Sequence, residues 1–510
     1  METIVSSNAN GVKAAYTYDA QNRLATVVDA RLPGANTTTY TYDPASNLAT
    51  VQIPNGLTST FTYDALNRLT ELSTPPVADY KYTLGATGIR TNATEQSGRT
   101  LQWSYDNIYR LTGETITGDP ANNGNNNGSA TYGLDPVGNR TTETSSLSGI
   151  NPIAGTYNAN DQLTSSETYD LNGNTTHTAN GNSYTYDSEN HMITMTNGST
   201  VVNLIYDAFG NRVAKTVNTV TTQYLVEDDV NPTGLPQVVE ELVNGAVTRQ
   251  YTYGLQRISE NLSPAVTGNS TWTPSFYGYD SAEGSVRFLS NAAGTVTDAY
   301  EYDAFGNQIY RSGTTPNNYM YRAEQYDSDL TLYFLRARYY NPVTGRFMSR
   351  DPLDGKAKDP KTLHKYLYAN GDPINRIDPR GRSGSGEAVA GGDLGEYGGI
   401  ILAVATHTVV GATVLACAVN VSYAMDALNV AGYTDIMPWG FCSARGKRWT
   451  CDASGHYVDY RIGNATLSPI FTGSGSDQTQ ACQNAISALQ GSSPPGSYVR
   501  HPQCFNCMKR

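Results

Sequence analysis

A Tyr-Asp pair returns again and again along this chain. It stands at Tyr18-Asp19, Tyr42-Asp43, Tyr63-Asp64, Tyr105-Asp106, Tyr169-Asp170, Tyr186-Asp187, Tyr206-Asp207, Tyr279-Asp280, Tyr302-Asp303 and Tyr326-Asp327. The first separations are 24, 21 and 42 residues, the longest split by a degenerate copy at Lys81-Tyr82, and later ones include 17, 20, 23 and 24. A period near 20 with insertions marks a stacked structural repeat. Each copy reads as a small hairpin. Residues 16–19 alternate aromatic and polar side chains, as a strand with one buried face does. Ala20-Gln21-Asn22 supplies turn chemistry, and a return strand starts at Arg23. The same grammar runs from Phe61 to Leu72 and from Tyr206 to Arg212, where Gly210-Asn211 suits a tight turn because both residues tolerate positive φ. A lone hairpin is marginal in water, so successive copies must stack into a quasi-one-dimensional sheet.

Composition supports a thin wall. Tyr occurs 37 times and Phe 10 times in 510 residues. Tyr packs an apolar ring while its hydroxyl still needs a partner, and the following Asp can accept backbone N–H groups at the turn. The pairs therefore read as scaffold. The net charge is −12, of which residues 1–382 carry −11 and residues 383–510 carry −1. So acidic a wall excludes sequence-independent nucleic-acid binding by the repeat region. All six cysteines lie at or after Cys417, which places a domain boundary upstream of them. Residues 1–7 show neither a basic nor an apolar leader region. The chain is expected to be cytoplasmic when made, exported without a recognisable signal peptide, or part of something longer.

The repeats end in a denser motif: Tyr326-Asp327 and Leu332 to Pro342, then Gly345-Arg346-Phe347-Met348-Ser349-Arg350-Asp351-Pro352, Tyr366 to Pro373, and Asp378-Pro379-Arg380-Gly381. This resembles the Rhs-repeat-associated core domain of bacterial Rhs and wall-associated toxins, toxin-complex C components and, more distantly, teneurins. The resemblance covers roughly residues 12–382. It implies a mainly β fold in which hairpins form a spiralling sheet, a complete or partial hollow shell, with the core motif as its plug and a small C-terminal α-containing segment after it. It also implies that the shell holds a variable C-terminal effector. Many relatives cut themselves after Asp-Pro-x-Gly, and the matching positions here are Arg338, Asp351 and Asp378. Two close carboxylates cannot both ionise easily, so one keeps a proton while the other activates water. An arginine would favour the ionised partner. The sequence departs from the pattern at Arg382, where relatives carry an apolar residue, and at Lys356 to Pro360. Residue by residue, Asp351 and Asp378 also read as ordinary Asp-Pro turns.

The expected organisation is a repeat shell over 1–300, the core over 301–382, a Gly/Ser-rich linker over 383–398, an apolar segment over 399–425 and a Cys-containing domain over 426–510. No Asp, Glu, Lys or Arg occurs from Tyr397 to Met425, and Ile400 to Val421 is long enough to cross a bilayer as a helix. Membrane contact is one reading, and a helix packed in the shell or in a small domain is the other. His407 reads as a tolerated polar residue. Cys504 and Cys507 have the two-residue spacing of a metal knuckle, with His501 three residues before them. The partner cysteines Cys442 and Cys451 are nine apart, so disulfides, zinc and free thiols all stay open. His456, Asp452, Asp459 and Arg461 could form a nuclease-like cluster but read first as solvated surface. No cofactor is called for.

Two functions follow. The first is an Rhs-type shell whose cargo is its own C-terminal segment, with a secretion apparatus and an immunity protein as partners and aspartic-type self-cleavage near Gly381. The second is a non-enzymatic secreted or cell-surface repeat protein that binds carbohydrate or a neighbouring cell.

Overall fold

The Asp of each repeat builds its hairpin turn. Asp19 Oδ1 accepts the N–H groups of Gln21 at 2.8 Å and Arg23 at 3.0 Å, while its Oδ2 accepts Arg23 Nε at 2.8 Å. Asp64 with Arg68 and Asp106 with Arg110 repeat the arrangement, and Asn replaces Arg at Asn47, Asn211 and Asn307. The residue before that Arg or Asn takes positive φ, which is why Asn22, Asn67, Gly210 and Gly306 occupy it. In the Tyr206 repeat only Gly210 has positive φ. Asn211 instead closes the turn, so the expected two-residue Gly-Asn turn is a longer loop capped by Asp207.

In several repeats the Tyr joins its hairpin to the one before. The Tyr42 hydroxyl donates to the Leu24 carbonyl at 3.0 Å, Tyr63 to Leu48 at 3.0 Å, Tyr206 to Met192 at 2.9 Å and Tyr279 to Arg257 at 2.7 Å. In these repeats the ring lies in the wall with its hydroxyl satisfied, whereas the Tyr302 hydroxyl is buried without a partner among the described residues. A bulge recurs beside that Tyr, at Thr17/Tyr18, Thr41/Tyr42 and Thr62/Tyr63. Bulges bend a strand and sharpen its twist, which lets a stack of hairpins curve.

The computed structural model describes residues 2–382 except 33, 121–125 and 356–359, with the side chains of 360 and 361 also undescribed, together with the backbone of Glu387–Ala388, Trp449–Asp459, Ala465–Leu467, Phe471–Gly475 and Ser497–Lys509. Two compact units divide at residue 399. The first holds two open 14-stranded antiparallel sheets in which every strand pairs with its chain neighbours. One runs from Glu2–Val5 to Ile153–Ala154 and the other from Glu167–Tyr169 to Gln308–Ser312. A sheet of four short strands follows, from Gln325–Asp327 to Arg346–Phe347. The stacked hairpins expected from the repeat, and the mainly β wall implied by the resemblance, are therefore the observed architecture.

The two large sheets turn buried faces toward each other and toward the core motif. Tyr16, Leu24 and Leu72 of the first sheet, Tyr251 and Tyr300 of the second, and Tyr333 and Tyr340 of the core motif belong to one apolar cluster. Full burial of such a side chain contributes about 1.5–3 kcal/mol. Polar seams cross the same interface. Glu240 accepts the Val12 N–H at 2.7 Å, Thr252 donates to Asp29 at 2.6 Å, and Asn55 donates to Ser290 at 2.9 Å.

In the second unit Trp449–Asp459 pairs antiparallel with Ala465–Leu467, Phe471–Gly475 and Ser497–Lys509. Apart from Glu387–Ala388, which pairs with Arg376–Ile377, the linker lies outside the described residues, as does the apolar segment over 399–425 with the helix expected there. Among the described residues no helix is long and apolar enough to cross a membrane.

Candidate self-cleavage site

The core motif brings Arg338, Asp351 and Asp378 together from three separate pieces of chain. Arg338 opens the strand Arg338–Asn341, which pairs with Leu332–Leu335 across the short turn at Arg336-Ala337. Its guanidinium lies 3.6 Å from the centre of the Phe347 ring, which fixes it in a plane. Asp351 is held by its backbone, whose N–H donates to the Lys365 carbonyl at 2.9 Å, and its Oδ1 accepts the Leu353 N–H at 2.9 Å. Asp378 begins the Asp-Pro-Arg-Gly turn, closed by the Gly381 N–H on the Asp378 carbonyl at 3.2 Å.

One nitrogen serves both acids. Arg338 Nη2 lies 3.1 Å from Asp351 Oδ2 and 3.4 Å from Asp378 Oδ2. All three side chains are buried. Burial raises the Asp351 carboxyl above its usual range, against the pull of Arg338. Burial also lowers the Arg338 guanidinium, against the two aspartates. A buried cation balancing two buried acids favours one ionised and one protonated carboxyl.

Arg338 and Asp378 engage one peptide group, and Asp351 meets it only through Arg338. Arg338 Nε donates to the Gly381 carbonyl at 2.5 Å, and the Arg382 N–H donates to Asp378 Oδ1 at 3.2 Å. The Gly381–Arg382 bond is therefore held at both ends, with its carbonyl polarised by a cation and its nitrogen against a carboxylate. Gly381 has φ +60°, and a Cβ there would collide with the Leu335 carbonyl oxygen. The turn reuses the repeat's device. Asp378 captures the N–H four residues on, as Asp19 captures Arg23, but its second oxygen turns to Arg338. Asp378 is thus both a turn residue and a neighbour of Arg338.

Arg336 was not singled out by the sequence reading. It pairs with Glu324 at 2.9 Å and bonds the Pro379 carbonyl, tying the turn to the core strands. Its only signal is its place two residues before Arg338. In the second unit the backbone sets Cys504 opposite Ala453, and a register shift sets Cys451 across from Asn506-Cys507. The side chains of Cys504, Cys507, His501, Cys451, His456, Asp452 and Asp459 lie outside the described set, as do Cys442 and Arg461. Among the described residues no group of three or more His, Cys, Asp or Glu side chains is placed to hold a metal.

Comparison with known proteins agrees with this architecture. The family model for the teneurin YD-shell matches residues 2–112 and 88–374. A tRNA3(Ser)-specific nuclease, WapA, of Bacillus spizizenii is 34% identical over 262 residues, covering 49% of this chain and 11% of that protein. The double-stranded DNA deaminase toxin A of Burkholderia cenocepacia is 25% identical over 231 residues, covering 40% of this chain and 15% of that protein. Among solved structures the TcdB2-TccC3 crystal structure superposes with a TM-score of 0.60 at 17% identity, over 73% of this chain and 21% of that one. The chain thus spans about a tenth of the WapA protein it matches. With the family model covering most of the repeat wall and core motif, the chain belongs to the teneurin YD-shell family.

Proposed function

We propose that this chain is a toxin-type shell that presents its residues 382–510 as an effector and releases them by cutting itself at the Gly381–Arg382 bond. The observation that carries the reading is that Arg338 and Asp378 hold that one peptide while Arg338 also binds Asp351, where the repeat architecture ends. The similarity to a tRNA nuclease and a DNA deaminase toxin supports an effector context.

The chemistry is a hydrolysis. The ionised carboxylate of the pair takes a proton from water, whose oxygen adds to the Gly381 carbonyl carbon. Arg338 Nε stabilises the charge that gathers on the carbonyl oxygen. The protonated carboxyl then gives its proton to the Arg382 nitrogen as the C–N bond breaks. A Gly381 carboxylate and a free Arg382 amine result, and no cofactor takes part.

The purified chain tests this on a denaturing gel. Wild type gives a fragment of about 40 kDa from the 55.0 kDa chain, with Arg382 as the new N-terminal residue of the other piece. Asp351→Asn leaves a single full-length band. An intact wild-type chain after prolonged incubation would reject self-cleavage. The effector role has its own readout: residues 383–510 expressed in a susceptible bacterium arrest growth, whereas harmlessness favours the surface-binding alternative.

A further inference from the structure

Between the two sheet faces, away from the aspartate pair, lies a cavity of about 70 Å³. Strands Ala78–Leu84, Arg90–Glu95, Thr100–Tyr105 and Leu111–Thr117 supply one wall, while Val286–Ser290, Val296–Tyr302 and the turn at Arg322 supply the other. Its polar lining is unbalanced. Arg90 is 7% exposed, stacks on Tyr82 at 4.2 Å, and has no carboxylate or carbonyl partner for its guanidinium among the described residues. Arg99 is ion-paired with Glu95 at 2.8 Å and lies 3.6 Å from Glu301, and Arg322 donates to the carbonyls of Glu283, Pro373 and Ile374. Yet Arg99 Nε and Nη2, Arg322 Nε and Trp103 Nε1 remain buried without hydrogen-bond acceptors among the described residues. A buried N–H without an acceptor costs about 1–3 kcal/mol, so this excess of donors calls for acceptor oxygens.

The acids that line the cavity already have partners, one of them Arg99 itself. Glu95 Oε1 takes both Arg99 at 2.8 Å and Arg287 at 2.9 Å. Asp303 is filled by the Phe305 and Asn307 N–H groups and by the Asn307 side chain. Asp280 accepts the Ser285 N–H and faces Arg287. Glu114 Oε1 accepts the Tyr132 hydroxyl and the Ala304 N–H, while Oε2 has no partner. Burial, with Asp303 close by, raises the Glu114 carboxyl.

The geometry points to a binding site for a small inorganic oxyanion, of the phosphate or sulfate type, held between the two sheets by Arg90, Arg99, Arg322 and Trp103. At about 10–15 Å³ per water the cavity takes roughly five to seven waters, room for a tetrahedral anion with one or two of them and too little for a nucleotide. Charge-assisted bonds from several guanidiniums are what such an anion takes. Since its ligands come from both walls, the anion fastens the first sheet to the Arg322 turn.

The test uses the full chain in a chloride buffer, titrated with sodium phosphate, with sodium chloride at matched ionic strength as the reference. The expected result is a saturable rise in melting temperature with phosphate, and heat of binding at one site by calorimetry. Arg90→Gln raises the half-saturating concentration at least about tenfold, the loss of one charge-assisted bond. Trp103→Phe keeps the ring, removes one donor and weakens binding in the same direction, so it decides the matter if Arg90→Gln does not fold. A rise no larger than that given by chloride, or the same half-saturation in a folded variant as in wild type, overturns the site.

Discussion

The Tyr63 hydroxyl donates to the Leu48 carbonyl at 3.0 Å, one hairpin upstream of its own turn. The bond gives the repeat its chemical logic. A phenylalanine would pack the same ring but leave that carbonyl without this donor. Tyr63→Phe is expected to lower stability by about 1 kcal/mol, the net worth of one intramolecular hydrogen bond. Urea unfolding should show a lower midpoint with an unchanged slope. An unaltered midpoint would mean the hydroxyl contributes nothing to stacking.

Gly381 is the second lever. At φ +60° and against the Leu335 carbonyl oxygen, it admits no side chain without moving the turn. Gly381→Ala displaces the Gly381 carbonyl from Arg338 Nε and the Arg382 N–H from Asp378. Self-cleavage should slow by at least about tenfold, because a shift of one ångström at the reacting bond has that order of effect. The far-UV spectrum should stay that of wild type. Cleavage at the wild-type rate would place the reacting bond elsewhere.

The third prediction concerns pH. Burial first, and then repulsion from Asp303, raise Glu114 from its ordinary 4.5 to about 8. Asp303 is raised in the same direction, chiefly by burial. A carboxyl with a raised pKa favours folding in its protonated form. Its contribution is therefore greatest below pH 4.5 and is lost as pH climbs through 4.5 to about 8. Glu114→Gln should flatten that segment of the stability curve. A wild-type midpoint in urea that is level from pH 5 to pH 8, or a slope unchanged in the variant, would contradict it.

The wall was legible because its information is local. Asp19 and Arg23, or Asp207 and Asn211, contact each other four residues apart, and the alternation of Tyr16-Thr17-Tyr18 declares which face is buried. The aspartate pair was legible only through its resemblance to a known core motif. Thirteen residues separate Arg338 from Asp351 and 40 separate it from Asp378, and no periodicity connects them. Tyr326-Asp327 shows the limit from the other side. It is written like a wall turn, yet Asp327 is buried in an ion pair with Arg212 and with Lys215 at 2.7 Å, more than a hundred residues away. Burial alone would raise Asp327, but those two cations outweigh it and bring its carboxyl to about 2. Arg90 gave no sign at all, since an arginine after a turn looks like every other repeat arginine until its neighbours are placed.

Strand order along both large sheets follows chain order without a crossover. Each strand therefore needs only its predecessor as a template. Such a wall can zip up from one end as the chain emerges, with little entropy lost to loop closure at each step. The cross-wall seam behaves differently, because Val12 must wait for Glu240. Half of the first unit thus has to exist as an open ribbon before the apolar face it carries can be covered, and the lifetime of that ribbon is the interval in which this protein is most exposed to misassembly.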